Sequence, residues 1–199
     1  MSKFYKFIKG LLNVVVGVFF KVETVGFENI PKNGGVMVCC NHQSLLDVVF
    51  LIAKFPFTIN FMAKQELFKN KLFGAIISKM GAFPVNREIG DVTAIKKAVD
   101  LLNEGNVLGI FPEGRRNPVG KPLKCKAGAA LIALGTASPI LPVAINYTGK
   151  RRLFGRVIIS VGEVIPARKS DGDKPRKTEL KETTEIIYNG IIKQWETVS

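Results

Sequence analysis

Residues 36–47 of the chain read VMVCCNHQSLLD. The first five are continuously apolar, which is typical of a strand that is covered on both faces of a sheet. Asn41 and His42 follow this strand directly, and an apolar segment of helical character begins near residue 45. Open α/β sheets bind their ligands outside the carboxyl ends of their strands. The stretch therefore predicts an α/β fold with a functional site at the end of this strand.

The rest of the chain alternates strand-like and helix-like segments in the same way. Asp91 and Gly105 are placed to cap and to end the clearest helix. We expect a single α/β domain with a central mixed or largely parallel sheet flanked by helices. The predicted strands are 22–25, 36–40, 57–61, 107–111, 140–145 and 157–161, and the predicted helices are 45–54, 65–80, 91–104, 127–137 and a last one, after a polar loop at 166–177, that carries Leu180, Ile187, Ile191 and Trp195 on one side.

Composition narrows the kinds of partner that this protein can have. The chain has 199 residues, of which 47% are hydrophobic and 23% charged, and this excludes disordered and low-complexity proteins. Three cysteines do not make a disulfide framework, and they lack the spacing of a zinc site. The net charge of +13 indicates an anionic partner, which can be nucleic acid, a phosphorylated small molecule or an anionic membrane surface.

The first 21 residues favour contact with a membrane surface. Lysines at positions 3, 6 and 9 precede an apolar stretch, which is shorter than the roughly 20 residues that a membrane-crossing helix needs. We predict an amphipathic membrane-interface helix over 1–21. An ordinary helix that packs against the core is the alternative. A secretory signal is disfavoured because no small-x-small cleavage site follows. The predicted membrane stripe consists of Phe4, Phe7, Ile8, Leu11, Leu12, Val15 and Val18.

The chemistry-bearing residues begin with His42, the single histidine of the chain. If the helix starts near Ser44, Asp47 lies in its first turn and reaches back toward the imidazole. A carboxylate there fixes the tautomer and leaves Nε2 free to act as a base. From these two residues alone, a structural histidine at a strand end remains an equal alternative.

Three further stretches follow predicted strands or interrupt them. Residues 111–116 read FPEGRR, and a turn that carries Glu113 and two adjacent arginines suits the recognition of phosphate. A solvated surface turn is the alternative. Residues 81–87 read GAFPVNR and end on another candidate phosphate ligand, Arg87, whereas residues 140–144 read ILPVA and by themselves indicate core.

Taken in order, these four blocks resemble the signature of glycerolipid acyltransferases, and most closely that of the bacterial 1-acylglycerol-3-phosphate (lysophosphatidic acid) acyltransferase family. The resemblance runs from about residue 22 to residue 166. It implies acyl transfer from acyl-CoA or acyl carrier protein to the sn-2 hydroxyl of 1-acylglycerol 3-phosphate, which gives phosphatidic acid. Glycerol 3-phosphate or another lyso-lipid remains an alternative acceptor.

The resemblance also implies a role for each matching residue. His42 is the general base and Asp47 orients it. Glu113 and Gly114 position the substrate. Four matching residues bind the phosphate of the acceptor, namely Asn86, Arg87, Arg116 and Lys126, and Pro142 belongs to the acyl-binding side. Arg115 does not match the family pattern, but as an extra arginine it adds positive charge at the same phosphate site. Arg115, Asn117 and Cys125 depart from the usual threonine, serine and aromatic residue, so the acceptor headgroup is less well defined than the reaction.

Two other classes of function compete with this interpretation. A Cys-His nucleophile is conceivable because Cys39 and Cys40 lie near His42, but cysteines inside an apolar strand favour a core role. A basic nucleic-acid-binding or membrane-binding module without catalysis fits the charge, although no nucleic-acid motif accompanies the basic clusters. No Gly-x-Ser-x-Gly elbow of a serine hydrolase occurs.

The expected partners follow from the favoured interpretation. We expect a lysophospholipid acceptor, an acyl-CoA or acyl carrier protein co-substrate, an anionic membrane surface, no nucleic acid, and no bound cofactor or metal. We also expect peripheral or monotopic association with the cytoplasmic face of the cell membrane. The oligomeric state does not follow from the sequence.

Overall fold

A seven-stranded sheet forms the centre of the protein in a computed structural model, which describes residues 1–86, 91–118, 121–148, 154–172 and 174–199. Within these ranges the strand order is β1-β7-β6-β2-β5-β3-β4. The strands are β1 (Lys21–Val25), β2 (Met37–Cys40), β3 (Ile59–Lys64), β4 (Phe83–Val85), β5 (Val107–Ile110), β6 (Ile140–Thr148) and β7 (Arg156–Val161).

Strand direction decides where the functional residues meet. The five strands from β2 to β6 are mutually parallel through their pairings, whereas β7 is antiparallel to β6 and β1 is parallel to β7. The sheet is therefore mixed and mostly parallel, which confirms the predicted α/β class. The carboxyl ends of five strands lie at one edge, and the segments that follow them are brought together there.

Helices cover both faces of this sheet. The six helices in the described ranges are α1 (Lys3–Phe19), α2 (Leu46–Lys54), α3 (Lys71–Lys79), α4 (Val92–Asn103), α5 (Ala127–Thr136) and α6 (Lys177–Thr197). One hydrophobic cluster joins α1 and α2 to the sheet, and the other joins α4, α5 and α6 to it. The predicted cap of α4 is confirmed, because the Asp91 side chain accepts a hydrogen bond from the Ala94 N–H at 3.0 Å.

Helix α1 packs on the domain with one side and exposes apolar residues on the other. Tyr5 and Val16 are buried in the core, and Phe4, Ile8 and Leu12 pack against it. The predicted single stripe is therefore wrong, since the remaining stripe residues are exposed, together with a further one: Phe7, Leu11, Val14, Val15 and Val18. In the described part of the chain, no helix has both the length and the apolar character needed to cross a bilayer.

The segment between β3 and β4 differs most from the prediction. The expected continuous helix over 65–80 is wrong, because a 3₁₀ turn at Gln65–Phe68 precedes the α-helix. Asn70 is the N-cap of α3, because its side chain accepts a hydrogen bond from the Phe73 N–H at 3.0 Å. The short strand β4, which lies within the GAFPVNR block, was not predicted.

Candidate active site

Segments that follow neighbouring strands bring the sequence blocks together. β2 lies between β5 and β6 and is parallel to both. His42 follows β2, Phe111 follows β5, and Tyr147 lies near the end of β6. Asn41 extends the pairing of β2 with β6, because its side chain accepts from the Ile145 N–H at 2.8 Å and donates to the Ile145 carbonyl at 3.0 Å. The position of the next residue, His42, is thereby fixed at the sheet edge.

His42 and Asp47 form a buried hydrogen-bonded pair. The distance from His42 Nδ1 to Asp47 Oδ2 is 2.9 Å, and the two side chains are 7% and 0% exposed. Asp47 lies in the first turn of α2, as the five-residue spacing predicts. A carboxylate accepts hydrogen bonds, so it keeps the ring proton on Nδ1 and leaves a lone pair on Nε2. The pair has the arrangement of a general base with its orienting group.

Further donors hold the Asp47 carboxylate in place. Oδ2 accepts hydrogen bonds from the backbone N–H groups of Gln43 and Ser44, at 2.7 and 2.8 Å. Oδ1 accepts one from the Tyr147 hydroxyl at 2.5 Å. Together with the His42 ring N–H, these donors fix the orientation of both carboxylate oxygens. Sequence analysis missed Tyr147, since its proximity depends on β6 lying next to β2.

Glu113 is buried and binds backbone rather than projecting from its turn. Its Oε1 accepts a hydrogen bond from the His42 N–H at 2.8 Å, and its Oε2 accepts one from the Leu123 N–H at 3.1 Å. Burial raises the pKa of this carboxyl, and the two N–H donors oppose the rise. The expectation that Glu113 projects with the arginines is wrong. Its contact with substrate stays a prediction, whereas its contact with the backbone of His42 is direct.

The Phe111 ring stacks on the imidazole ring of His42. The two ring centroids are 4.0 Å apart and the planes differ by 19°, so the rings stack. Phe61 of β3 stacks on Phe111 in turn, at 5.8 Å and 11°. The N–H of Asn117 donates to the His42 carbonyl at 2.7 Å. The segment after β5 thus supports both the ring and the backbone of His42.

A cavity of about 260 Å³ lies next to Phe111. Most of its wall is apolar, but Asn86 after β4 and Lys126 before α5 add polar groups. The first residues of α5 also line it, and a helix N-terminus carries partial positive charge. This combination suits a ligand with an apolar chain and an anionic group. The lining residues are Met62, Val85, Asn86, Ile110, Phe111, Pro112, Gly114, Lys126, Gly128 and Ala129.

The predicted phosphate-binding residues are distributed unevenly around this cavity. Asn86, Gly114 and Lys126 line it, whereas Arg115 and Arg116 are exposed on the adjacent turn and do not. Arg87 lies outside the described residues. The structure therefore brings part of the predicted set together, and the arginine roles stay predictions.

Pro142 lies away from the cavity. It is buried within β6, in register with Cys39 of β2, and its ring lies close to Gly190 of α6. The structure thus places it under α6, in the interior of the sheet. The predicted acyl-side role of Pro142 has no counterpart in the wall of the cavity and stays a prediction.

The cysteines near His42 are core residues. Cys39 and Cys40 are buried, and burial raises the pKa of both thiols well above the usual range. Cys125 behaves similarly, since burial, helped by the nearby Glu113 charge, raises its pKa to about 12. The nucleophilic form of cysteine is the thiolate, which these environments disfavour. Within the described ranges, no group of three His, Cys, Asp or Glu side chains is arranged to hold a metal ion.

Comparison with known proteins agrees with this geometry. The Acyltransferase family model matches residues 21–146, which include β1 and nearly all of β6. The chain belongs to the acyltransferase family. Among its relatives, the 1-acyl-sn-glycerol-3-phosphate acyltransferase of Bacillus subtilis is 37% identical over 197 residues, which cover 96% of each protein. The enzyme of the same name from Borreliella burgdorferi is 33% identical, over 89% of this acyltransferase and 73% of the relative.

A solved structure has the same fold. The crystal structure of the 1-acyl-sn-glycerophosphate (LPA) acyltransferase PlsC from Thermotoga maritima matches with a TM-score of 0.71 and 27% sequence identity. The match covers 98% of this acyltransferase and 82% of the PlsC chain. The match therefore extends beyond the strands around His42 to α1 and α6.

Proposed function

We propose that this acyltransferase transfers a fatty acyl group to the sn-2 hydroxyl of 1-acylglycerol 3-phosphate, which gives phosphatidic acid. The names of its relatives in Bacillus subtilis and Borreliella burgdorferi state this acceptor. The observation that supports the chemistry is the buried His42–Asp47 pair beside a mostly apolar cavity with Lys126 in its wall. The proposed donor is a thioester, either acyl-CoA or acyl carrier protein.

The proposed reaction is a single displacement at the thioester carbonyl. His42 Nε2 removes the proton from the acceptor hydroxyl as its oxygen attacks the carbonyl carbon. The C–O bond forms, and collapse of the tetrahedral intermediate breaks the C–S bond. The imidazolium then returns the proton to the leaving thiolate, so the free thiol and the ester are the products. Asp47 stabilises the imidazolium between these two steps, because its carboxylate oxygen lies 2.9 Å from Nδ1.

The phosphate of the acceptor has a proposed position beside the polar residues of the cavity wall. Lys126 and Asn86 belong to this wall, and Gly114 leaves room for the lysine side chain to lie across the turn. Arg115 and Arg116, exposed on the turn that follows Gly114, are proposed to add positive charge. Binding there turns the encounter of hydroxyl and base into a fixed geometry. By resemblance alone, Arg87 joins this set.

The exposed side of α1 supports membrane association. Phe7, Leu11, Val14 and Val18 recur at helical spacing and are exposed. A helix of this kind lies in the headgroup region, with its apolar face toward the acyl chains and its lysines toward lipid phosphates. We propose that the protein is a peripheral or monotopic protein of the cytoplasmic face, where its lysophospholipid acceptor is embedded.

An acyl-transfer assay with product mass detection tests the proposed chemistry. We expect the purified protein to convert 1-oleoylglycerol 3-phosphate and oleoyl-CoA, or the carrier-protein thioester, into phosphatidic acid. His42→Ala should lower kcat by about 10²–10⁴-fold, because a positioned base supplies an acceleration of that size. Glycerol 3-phosphate and other lyso-lipids, tested in parallel, establish the acceptor. Faster transfer to one of those acceptors would contradict the proposed substrate.

The control for His42→Ala is the Cys39→Ala/Cys40→Ala double variant, which removes both neighbouring thiols. It should retain turnover within a few-fold, and both proteins should keep a cooperative thermal transition. Loss of all turnover in the folded cysteine variant, or turnover of His42→Ala within tenfold of the parent, would contradict the assignment of the base.

A further inference from the structure

Helix α3 has an exposed apolar face. Leu72 is 74% exposed, Phe73 47% and Ile76 39%. Leu72 and Ile76 lie one turn apart and therefore on the same side of the helix, with Phe73 beside them. Three large apolar side chains on a nine-residue helix form a patch of the kind that marks an interaction site on a soluble protein.

The segments that contain α1 and α3 are rich in lysine. Residues 1–22 and 67–86 together contain seven lysines and no aspartate or glutamate. Glu66 immediately precedes the second segment, and it pairs with Lys64 at 3.1 Å. Lysines that border an apolar surface complement a layer of anionic headgroups over acyl chains. The seven are Lys3, Lys6, Lys9, Lys21, Lys69, Lys71 and Lys79, of which Lys9 donates to the Phe55 carbonyl and Lys21 pairs with Glu23 at 3.6 Å.

One contact links α3 to α1. The Lys79 ammonium lies 5.6 Å from the centroid of the Phe4 ring. Lys79 is two turns after Leu72 on the same side of α3, and Phe4 borders the side of α1 that carries Phe7 and Leu11. The contact therefore links the border of the apolar face of α3 to the border of the apolar face of α1.

We propose that α3 is a second membrane-contacting segment, whose Leu72, Phe73 and Ile76 enter the acyl-chain region of an anionic bilayer beside α1. A single amphipathic helix leaves the protein free to rotate about the helix axis, whereas two linked faces define a plane. Leu45, three residues after His42, is itself 62% exposed. An apolar residue next to the base is consistent with the catalytic edge of the sheet lying close to the lipid.

Flotation with vesicles of phosphatidylcholine and phosphatidylglycerol at 70:30 tests this contact on the full-length protein. The Leu72→Gln/Ile76→Gln variant removes two apolar side chains and keeps good helix formers. The matched control is Val92→Gln/Ile186→Gln, which removes two exposed apolar side chains from α4 and α6. We expect binding by the α3 variant to weaken by about tenfold or more, and the control to bind within twofold of the parent.

Four outcomes would overturn the inference. The first is parental binding by the α3 variant, and the second is equal loss in the control. The third is unchanged vesicle binding with a shift from dimer to monomer in light scattering, which would assign the face to a second copy of the chain. Turnover of a short-chain acceptor dissolved below its micelle concentration separates this inference from the proposed chemistry. The α3 variant should retain that turnover, and its loss with intact vesicle binding would also overturn the inference.

Discussion

The orientation of His42 is determined by contacts on all sides of the residue. Its Nδ1 faces Asp47, its ring lies on Phe111, and its backbone N–H donates to Glu113. Its carbonyl accepts from the Asn117 N–H. If His42 is the proposed base, its fixed orientation means that it needs no rearrangement when the acceptor hydroxyl arrives, which is the source of catalytic advantage in a positioned group.

Tyr147 offers a test of how far this positioning matters. The Tyr147→Phe variant removes the 2.5 Å hydrogen bond to Asp47 Oδ1 and changes little else in shape. Hydrogen bonds to charged groups contribute about 1.5–3 kcal/mol, so we expect kcat to fall by about tenfold or more. The KM of the acceptor should stay within twofold, because Tyr147 acts through Asp47 and not on the substrate. Steady-state kinetics with both substrates measure the two effects separately.

Tyr188→Phe on α6 is the control for this experiment, since it removes a hydroxyl from the same residue type elsewhere in the fold. It should leave kcat unchanged. A Tyr147→Phe variant with parental kcat, or one with a raised KM and unchanged kcat, would contradict a positioning role.

The pair of His42 and Asp47 was predictable because their proximity depends on local geometry alone. Five residues between a strand end and a first helical turn are enough to bring the side chains together. Glu113 and Tyr147 were not predictable in the same way. Their partners come from residues 71 and 100 positions away in sequence, so their contacts depend on strand order. No local pattern specifies that order.

Among the elements, the turn between β5 and α5 depends on a glycine in a conformation that other residues rarely adopt. Gly114 has φ +72°, in the left-handed region that favours glycine. A Cβ atom there would lie 3.0 Å from Lys126 Cδ and Cε. The same turn positions Asn117 against the His42 carbonyl and connects to the cavity. Its shape therefore links the proposed base to the proposed phosphate site.

We expect Gly114→Ala to lower the free energy of unfolding by about 1–3 kcal/mol, which is the usual cost of a strained backbone conformation. Displacement of Lys126 should also raise the KM of the phosphorylated acceptor several-fold. Urea unfolding and acceptor kinetics measure the two consequences. Gly128→Ala is the stability control, because its added Cβ would meet nothing within 4 Å and α5 gains a better helix former. Equal stability of the parent and Gly114→Ala would contradict this account of the turn.

The other elements show what local patterns predict and what they miss. Long periodic segments such as α4 were predicted with their cap, because Asp91 and Gly105 act within one turn. Strand β4 was missed because it has three residues, one of them Pro84, and is defined by its pairing with β3. The single stripe predicted on α1 failed for a related reason. Periodicity identifies an apolar face but does not say whether protein or lipid covers it.

For the molecule as a whole, the sheet explains why distant blocks act together. Three parts of the site follow strands of the parallel group from β2 to β6. They are the block around His42, the turn after β5 and the residues that follow β4. They therefore converge on one edge, although the sequence separates them by tens of residues. The α/β class was predictable from alternation, whereas the order β1-β7-β6-β2-β5-β3-β4 was not.

The net charge of +13 allows a prediction for the whole molecule, because binding to an anionic membrane and binding to nucleic acid respond differently to salt. Raising sodium chloride from about 0.1 to about 1 M shortens the Debye length from about 10 to about 3 Å and screens exposed lysines. Each lysine near an anionic leaflet contributes about 1 kcal/mol, so binding to phosphatidylglycerol vesicles should weaken by at least tenfold. It should level off at the affinity for neutral phosphatidylcholine vesicles, since insertion of apolar side chains from α1 and α3 is not screened.

Binding to duplex DNA is the control for the vesicle measurement. Binding to DNA through lysines alone falls with salt without levelling off, because it consists of counterion release. Flotation on both vesicle types and DNA binding, each at the two salt concentrations, should therefore separate an apolar contact from a purely ionic one. Vesicle binding that disappears at 1 M salt while DNA binding is tighter throughout would contradict a membrane surface as the partner of these lysines, and with it the orientation of the catalytic edge toward lipid.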